Sequence, residues 1–590
     1  MARMRRRGFL EASLSALGTP MLARAAQASD APADLIVSAQ TIHTVESANP
    51  SVTAFAVRNG RFIYAGSLDG ALGLRGSKTE VIDFGNATIL PGLIDAHMHL
   101  TSVGQALHEV DLYHVTSFDE IVRRTVAFSK TSPDSWIIGE GWDQNLWPGQ
   151  AFPTHEALSA ALPNRPVLLE RVDGHAILVN AEAMRVAHVT RATPDPVGGR
   201  ILRDAHGNPT GVFIDNAMGL IFDVVPAPSH EQLVRWARAA CSEANRFGVT
   251  AIGEANTTGA ALAALEELAR TNELPIRIHT MLSDDPDLIA THLAKGPVHG
   301  AYDGRLSVRA IKMFSDGALG SRGAALLQPY TDDPANSGLL RITQGHITDV
   351  ATRALAHGFQ TCVHAIGDRG NRTVLDAYEA ALRTVSRHDY RLRIEHAQVL
   401  SPQDIPRFKA LGIIPSMQTT HQISDMGWAQ DRLGPDRIKG AYAWRSLLDT
   451  GVIIANGTDA PVEPVNTLRT FHSAISRQNS ENLPAGGWYP AQRMNRDEAL
   501  RSMTIWAAHA NFSEDTIGSI APGKYADFVV MDQDWMKVAP ESIMQTRIHA
   551  TYSSGRKVYD GTRDAANGIP TRPRRYARGI STCSCAAGSG

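Results

Sequence analysis

Thr88-Ile89-Leu90-Pro91-Gly92-Leu93-Ile94-Asp95-Ala96-His97-Met98-His99 is the stretch on which the reading of this chain turns. It reads as one buried strand that ends in two histidines separated by a single residue. Side chains alternate across a strand, so His97 and His99 face the same side. Two imidazoles at one strand end supply half of a metal site, and other strands must supply the rest.

Working outward, seven further candidate strands follow at 248–253, 276–280, 308–314, 359–364, 392–396, 412–417 and 451–457. Helical periodicity fills the intervals at 231–247, 260–270, 348–357 and 372–385. Eight strand–helix units predict an α/β fold, a (β/α)₈ barrel over residues 89–512. The interval 101–247 is too long for one crossover and predicts an insertion, at about 142–220, lying over the catalytic face. The flanks read differently. Short apolar runs with an Asn59-Gly60 turn occupy 33–88, and a second strand-rich piece occupies 513–562. Neither piece is large enough to bury a core by itself, so a composite β-sandwich built from both termini is expected.

The 590 residues carry 57 basic and 60 acidic side chains, and 43% are hydrophobic. A formal charge of −3 gives no electrostatic case for nucleic acid or an anionic membrane. Four cysteines (Cys241, Cys362, Cys583 and Cys585) form neither a disulfide framework nor a paired zinc motif. The N-terminus reads Arg5-Arg6-Arg7-Gly8-Phe9-Leu10, then a mildly apolar run, then Ala26-Gln27-Ala28. This predicts a twin-arginine-type signal over 1–28, with no membrane anchor after cleavage and a periplasmic or secreted product. Residues 563–590 read as a flexible tail.

Strand ends of a parallel barrel converge on one mouth. At or near those ends lie His97, His99, Lys312, His364, His396 and, in Gly457-Thr458-Asp459, Asp459. A lysine in an apolar strand needs a partner, and five potential ligands in equivalent positions argue for one joint site.

With these motifs in place, the sequence resembles the amidohydrolase superfamily, in its amidohydrolase-3 or YtcJ-like branch, which includes N-substituted formamide deformylases. The resemblance runs from the N-terminal β module to Val529. It rests on the stretch 91–99, Ile311-Lys312-Met313-Phe314-Ser315-Asp316-Gly317, Val363-His364-Ala365-Ile366-Gly367-Asp368, Ile394-Glu395-His396-Ala397-Gln398, Gly457-Thr458-Asp459-Ala460-Pro461-Val462 and Pro522-Gly523-Lys524-Tyr525-Ala526-Asp527. It implies that His97, His99 and Asp459 bind one divalent metal and that His364 and His396 bind a second. Lys312 would bridge them as a carbamylated (carboxylated) lysine. One or two ions, of zinc, are the implied cofactor. Asp459 is expected to be the catalytic base and proton donor. Trp142, Asp143, His175 and His421 are the candidate substrate contacts, with Gln144 beside them. The expected partner is a small-molecule amide or N-acyl/N-formyl amine, and a homodimer is left open. The expected activity is hydrolysis of a non-peptide C–N bond. The alternatives are a deaminase or cyclic-amide hydrolase on the same barrel, or a non-catalytic exported barrel used as a binding scaffold.

Overall fold

The structure is a computed structural model that describes residues 31–385 and 389–566. The signal reading at 1–28 and the tail residues Cys583 and Cys585 lie outside the described residues. Cys241 and Cys362 are buried free thiols. Among the described residues no helix is long and apolar enough to cross a membrane.

Eight parallel strands form the barrel sheet in chain order. They are β1 (Leu93–Met98), β2 (Val249–Thr257), β3 (Arg277–Leu282), β4 (Leu306–Phe314), β5 (Gln360–Ala365), β6 (Arg393–His396), β7 (Ile414–Met417) and β8 (Ala455–Asn456). Their residues are almost all buried, as expected of a parallel sheet covered by helices. The outer helices pack their apolar stripes on it. One of them, His230–Arg246, starts at a Ser229/Gln232 capping box and buries Leu233, Trp236, Ala237, Ala240 and Ala244.

The seam between β8 and β1 is closed by the segment that follows β8. The Asp459 N–H donates to the His97 carbonyl (2.7 Å), and the His99 N–H donates to the Ala460 carbonyl (2.8 Å). Asp95 accepts from the Thr458 N–H (3.0 Å) and hydroxyl (2.5 Å). Only glycine fits at 457, where a Cβ would lie 2.5 Å from the His97 nitrogen and 2.7 Å from Asp95 Oδ1.

The opening stretch proves to be two strands rather than one. Thr88–Pro91 belongs to the terminal sheet, and β1 begins at Leu93. The break falls at Pro91-Gly92 for a steric reason: a Cβ on Gly92 would sit 2.1 Å from Thr250 Oγ1. Proline and glycine here let the chain pass from one sheet to the other.

The terminal sheet draws on both ends of the chain, as expected. Thr88–Pro91 runs parallel to Leu35–His43 on one side and antiparallel to Phe528–Met531 on the other. Ile548–Ser553 and Arg556–Asp560 continue it at one edge, and Ser51–Arg58 and Arg61–Gly66 at the other. The last two form the expected hairpin, with positive φ at both Asn59 and Gly60. The pairings stitch the two termini edge to edge into one continuous sheet, so a sandwich of two facing sheets does not follow from them. A third sheet fills the long interval between β1 and β2. Its strands run from Val110–Asp111 to Pro209–Asp215, starting earlier in the chain than the 142 expected.

Candidate metal centre

The fold brings four of the expected residues, His97, His99, His396 and His421, around the carboxylate of a fifth, Asp459. Asp459 follows β8 and adopts a left-handed backbone (φ 58°), as does His396 at the end of β6 (φ 73°). Such backbone conformations in non-glycine residues are costly and concentrate at functional sites. Asp459 Oδ1 lies 3.3 Å from His97 Nε2 and 3.1 Å from His99 Nε2, while Oδ2 lies 3.4 Å from His421 Nε2. Two groups have ligand atoms within 4.8 Å of one another: His97, His99 and Asp459, and then His396, His421 and Asp459. Asp459 is shared.

Three of the imidazoles are oriented from behind. His97 Nδ1 meets Glu395 Oε2 at 2.5 Å, His99 Nδ1 meets the Ala255 carbonyl at 3.0 Å, and His396 Nδ1 meets Gln418 Oε1 at 2.7 Å. A carboxylate and a carbonyl can only accept, so Nδ1 of His97 and His99 bears the hydrogen. The amide oxygen of Gln418 does the same for His396. Nε2 of each neutral ring is therefore a bare lone pair. For His97 and His99 that lone pair faces a carboxylate oxygen across little more than 3 Å, an arrangement that repels unless a cation lies between them. His364 Nε2, His421 Nε2 and Asp459 Oδ1 are buried and make no hydrogen bond. Three such atoms gathered in one cluster of potential ligands fit a bound divalent cation.

The electrostatics select the ligand forms. Burial, with the Lys312 charge beside it, pushes the His364 imidazole down to about 3. Burial and the neighbouring His364 hold His396 well below the ordinary imidazole range. Burial works against ionisation of Asp459, yet protons on the His97 and His99 rings, the positive charge that a bound cation would replace, hold its carboxyl well below the usual carboxylate range. His99 is the exception: burial lowers it, but Asp459 wins and raises it. Two neutral imidazoles beside an ionised carboxylate are the donor set that zinc prefers.

Lys312 on β4 is fully buried, with Nζ 3.5 Å from His97 Nε2 and 4.4 Å from the centroid of the Phe314 ring. His364 packs ring to ring on His396 (4.5 Å), and its Nε2 lies 3.5 Å from Asp316 Oδ1. His421, expected to touch substrate, stacks on His396 and belongs to the cluster of potential ligands.

The expected contacts from the inserted segment fare differently. Trp142 is completely buried, its N–H donates to the Leu169 carbonyl (2.8 Å), and its ring packs in the core of the inserted sheet. With its ring buried and its one polar group already used, Trp142 packs the inserted sheet rather than lining the cluster around Asp459. Asp143 pairs with Arg171 at 3.0 Å, and Gln144 accepts from the same arginine at 2.8 Å. His175 is 73% exposed and pairs with Asp215 at 2.8 Å. These contacts all stay within the inserted segment.

Sequence reasoning passed over Arg393, Glu395, Asp316 and Gln418. The signal for the first two was present: two opposite charges at i and i+2 share one face of an otherwise apolar strand. Asp316 accepts backbone N–H groups of Ala325 (2.9 Å), Ile366 (3.0 Å) and Gly367 (2.8 Å), which pins the loop after β5 beside His364.

Comparison with known proteins agrees with this geometry. The model of the amidohydrolase family matches residues 80–559. The YtcJ protein of Bacillus subtilis (strain 168) is 34% identical over 489 residues, covering 82% of this chain and 91% of its own. The N-substituted formamide deformylase of Arthrobacter pascens is 27% identical over 548 residues, covering 90% and 99%. The crystal structure of an uncharacterized metal-dependent hydrolase from Pyrococcus furiosus superposes with a TM-score of 0.72 at 29% identity, over 85% of this chain and all of that one. A strand-end cluster of imidazoles around a carboxylate, an eight-stranded parallel barrel and a family match across most of its length place this chain in the amidohydrolase family.

Proposed function

We propose that this member of the family is an exported, metal-dependent hydrolase that cleaves a non-peptide C–N bond of an amide or formamide. The observation that carries the reading is the convergence of bare imidazole Nε2 atoms on the single ionised carboxylate of Asp459. His97, His99 and Asp459 would hold one divalent cation, zinc by the chemistry of the donors. His396 and His364 would hold a second, with His421 at the same carboxylate. Lys312 is buried against an imidazole and an aromatic ring, and carbamylation would turn its repelled cation into a bridging oxygen anion. A bound cation supplies Lewis acidity, acidifying water and polarising the scissile carbonyl.

The chain's own groups do the rest. The pairings behind His97, His99 and His396 keep those rings in register with Asp459. Asp459 accepts the proton of the attacking water and returns it to the leaving nitrogen, so that an amine and a carboxylate are released. The Arthrobacter pascens relative supports a formamide as substrate and formate as the acid product. Export rests on Arg5-Arg6-Arg7 and the small-residue cleavage site.

The test is metal analysis of protein recovered from the periplasm, followed by a screen of N-acyl and N-formyl amines for released amine. One to two equivalents of divalent metal and chelator-sensitive amine release are expected. Hydrolysis that survives complete metal removal would overturn the mechanism. A metallated protein inert on every amide would overturn the substrate class. An uncleaved precursor retained in the cytosol would overturn export.

A further inference from the structure

The imidazoles of the centre are not held alike. His99 and His396 donate to neutral acceptors, the Ala255 carbonyl and the Gln418 amide. His97 faces the carboxylate of Glu395, at 2.5 Å. Glu395 is fully buried, and so is Arg393, whose Nη2 lies 2.9 Å from Oε2 and whose Nε lies 2.8 Å from Oε1. The same guanidinium donates to the Ala96 carbonyl (2.8 Å), Ser416 Oγ (2.8 Å) and Asn511 Oδ1 (2.9 Å). Ala96 is the residue before His97. One arginine thus fixes both the carboxylate behind the ring and the backbone that carries the ring.

A buried ion pair of this kind is a poor source of stability, because well-packed apolar replacements often do as well. Orientation is what the geometry provides. A carboxylate behind a histidine fixes its tautomer, and the negative charge raises the basicity of the far nitrogen beyond what a neutral amide or carbonyl achieves. Arg393 lies against both oxygens of Glu395 and balances its charge.

We propose that Glu395, charge-balanced by Arg393, is the positioning residue of the centre: it locks His97 in the Nδ1–H tautomer and makes its Nε2 the strongest imidazole donor of the set. The inference rests on the metal-centre reading above and adds to it an order among the ligands.

The experiment measures zinc affinity of the apoprotein by chelator competition, together with the apoprotein's melting temperature. In the double variant Arg393→Met with Glu395→Gln both buried charges are gone, so the apoprotein should melt close to the parent while binding zinc about 10–100-fold more weakly. Glu395→Asp keeps the charge but shortens the reach, and should bind with intermediate affinity. Parent-like zinc affinity in either variant overturns the proposal. If the double variant does not fold, Glu395→Asp decides alone. His97→Ala separates the two levels of inference. Loss of zinc there, with zinc retained in the Glu395 variants, removes only the positioning role. Parent-like zinc binding in His97→Ala removes the metal-centre reading itself.

Discussion

Buried histidines occur at both ends of this barrel, in opposite circumstances. At the C-terminal ends of the strands, His97, His99 and His396 each give Nδ1 to a fixed acceptor and present Nε2 to a site built around Asp459. Toward the other end, on β3, His279 is just as buried, but its Nε2 lies 3.3 Å from the amide oxygen of Gln360. The Gln360 amide donates to the carbonyls of Arg391 and Ala510, which fixes its oxygen toward His279. Burial and the charge of Arg393 push that imidazole down to about 3, so it stays neutral in the fold. The contrast is instructive. Low exposure is common to both ends, and the convergence of several lone pairs on one anion distinguishes a ligand from a core residue.

The sharpest way to break the comparison is to alter the anion. Asp459→Asn keeps the size of the side chain and one ligand oxygen but removes the charge. Hydrolysis should fall by at least ~10²-fold while the protein folds and retains substantial metal. Turnover and metal content measured on the same preparation check this, and parent-rate hydrolysis would end the assignment of Asp459.

A smaller effect is expected at Trp142, which the sequence reading had placed beside substrate. Trp142→Phe leaves the Leu169 carbonyl without its donor, at a cost of about 1–3 kcal/mol in the stability of the inserted sheet. Denaturant unfolding should show that loss with KM unchanged. A raised KM at parent stability would return Trp142 to the substrate.

The smallest effect concerns pH and sharpens the picture of the far end. His279 titrates near 6.5 when unfolded and about 3 when folded, so between these values the unfolded chain binds the extra proton. Its contribution is fully present above about 6.5 and is lost as pH falls toward 3, at no more than ~1.4 kcal/mol per pH unit. The melting temperature of His279→Gln should therefore drop less than the parent's between pH 7.5 and 5. Equal acid sensitivity in the two proteins would show that His279 is not held neutral.

Much of this arrangement was legible beforehand, for identifiable reasons. All eight barrel strands were visible as apolar runs, because parallel strands are buried on both faces. His97, His99 and Asp459 were visible because strand ends of a barrel meet at one mouth. The split at Pro91-Gly92 was missed because the apolar run continues unbroken through it, and only the approach of Thr250 reveals the crossing. The packing of Trp142 in the inserted sheet was not legible, because an aromatic in an insertion has the same sequence signature whether it lines a cleft or fills a core. His421 was seen but cast as a substrate contact, since its nearness to Asp459 depends on how the segment after β7 turns.

The seam between β1 and β8 has a consequence for how the molecule comes into being. Asp95 and Thr458, which close it, are 363 positions apart in the chain. At typical rates of synthesis that interval takes on the order of 20–70 s. Throughout it, His97 and His99 exist without Asp459, and Thr88–Pro91 waits for Phe528–Met531. Contacts of such long sequence separation are paid for late in folding. The nascent chain thus spends most of its time on the ribosome with its histidine pair lacking its carboxylate and its first sheet unfinished.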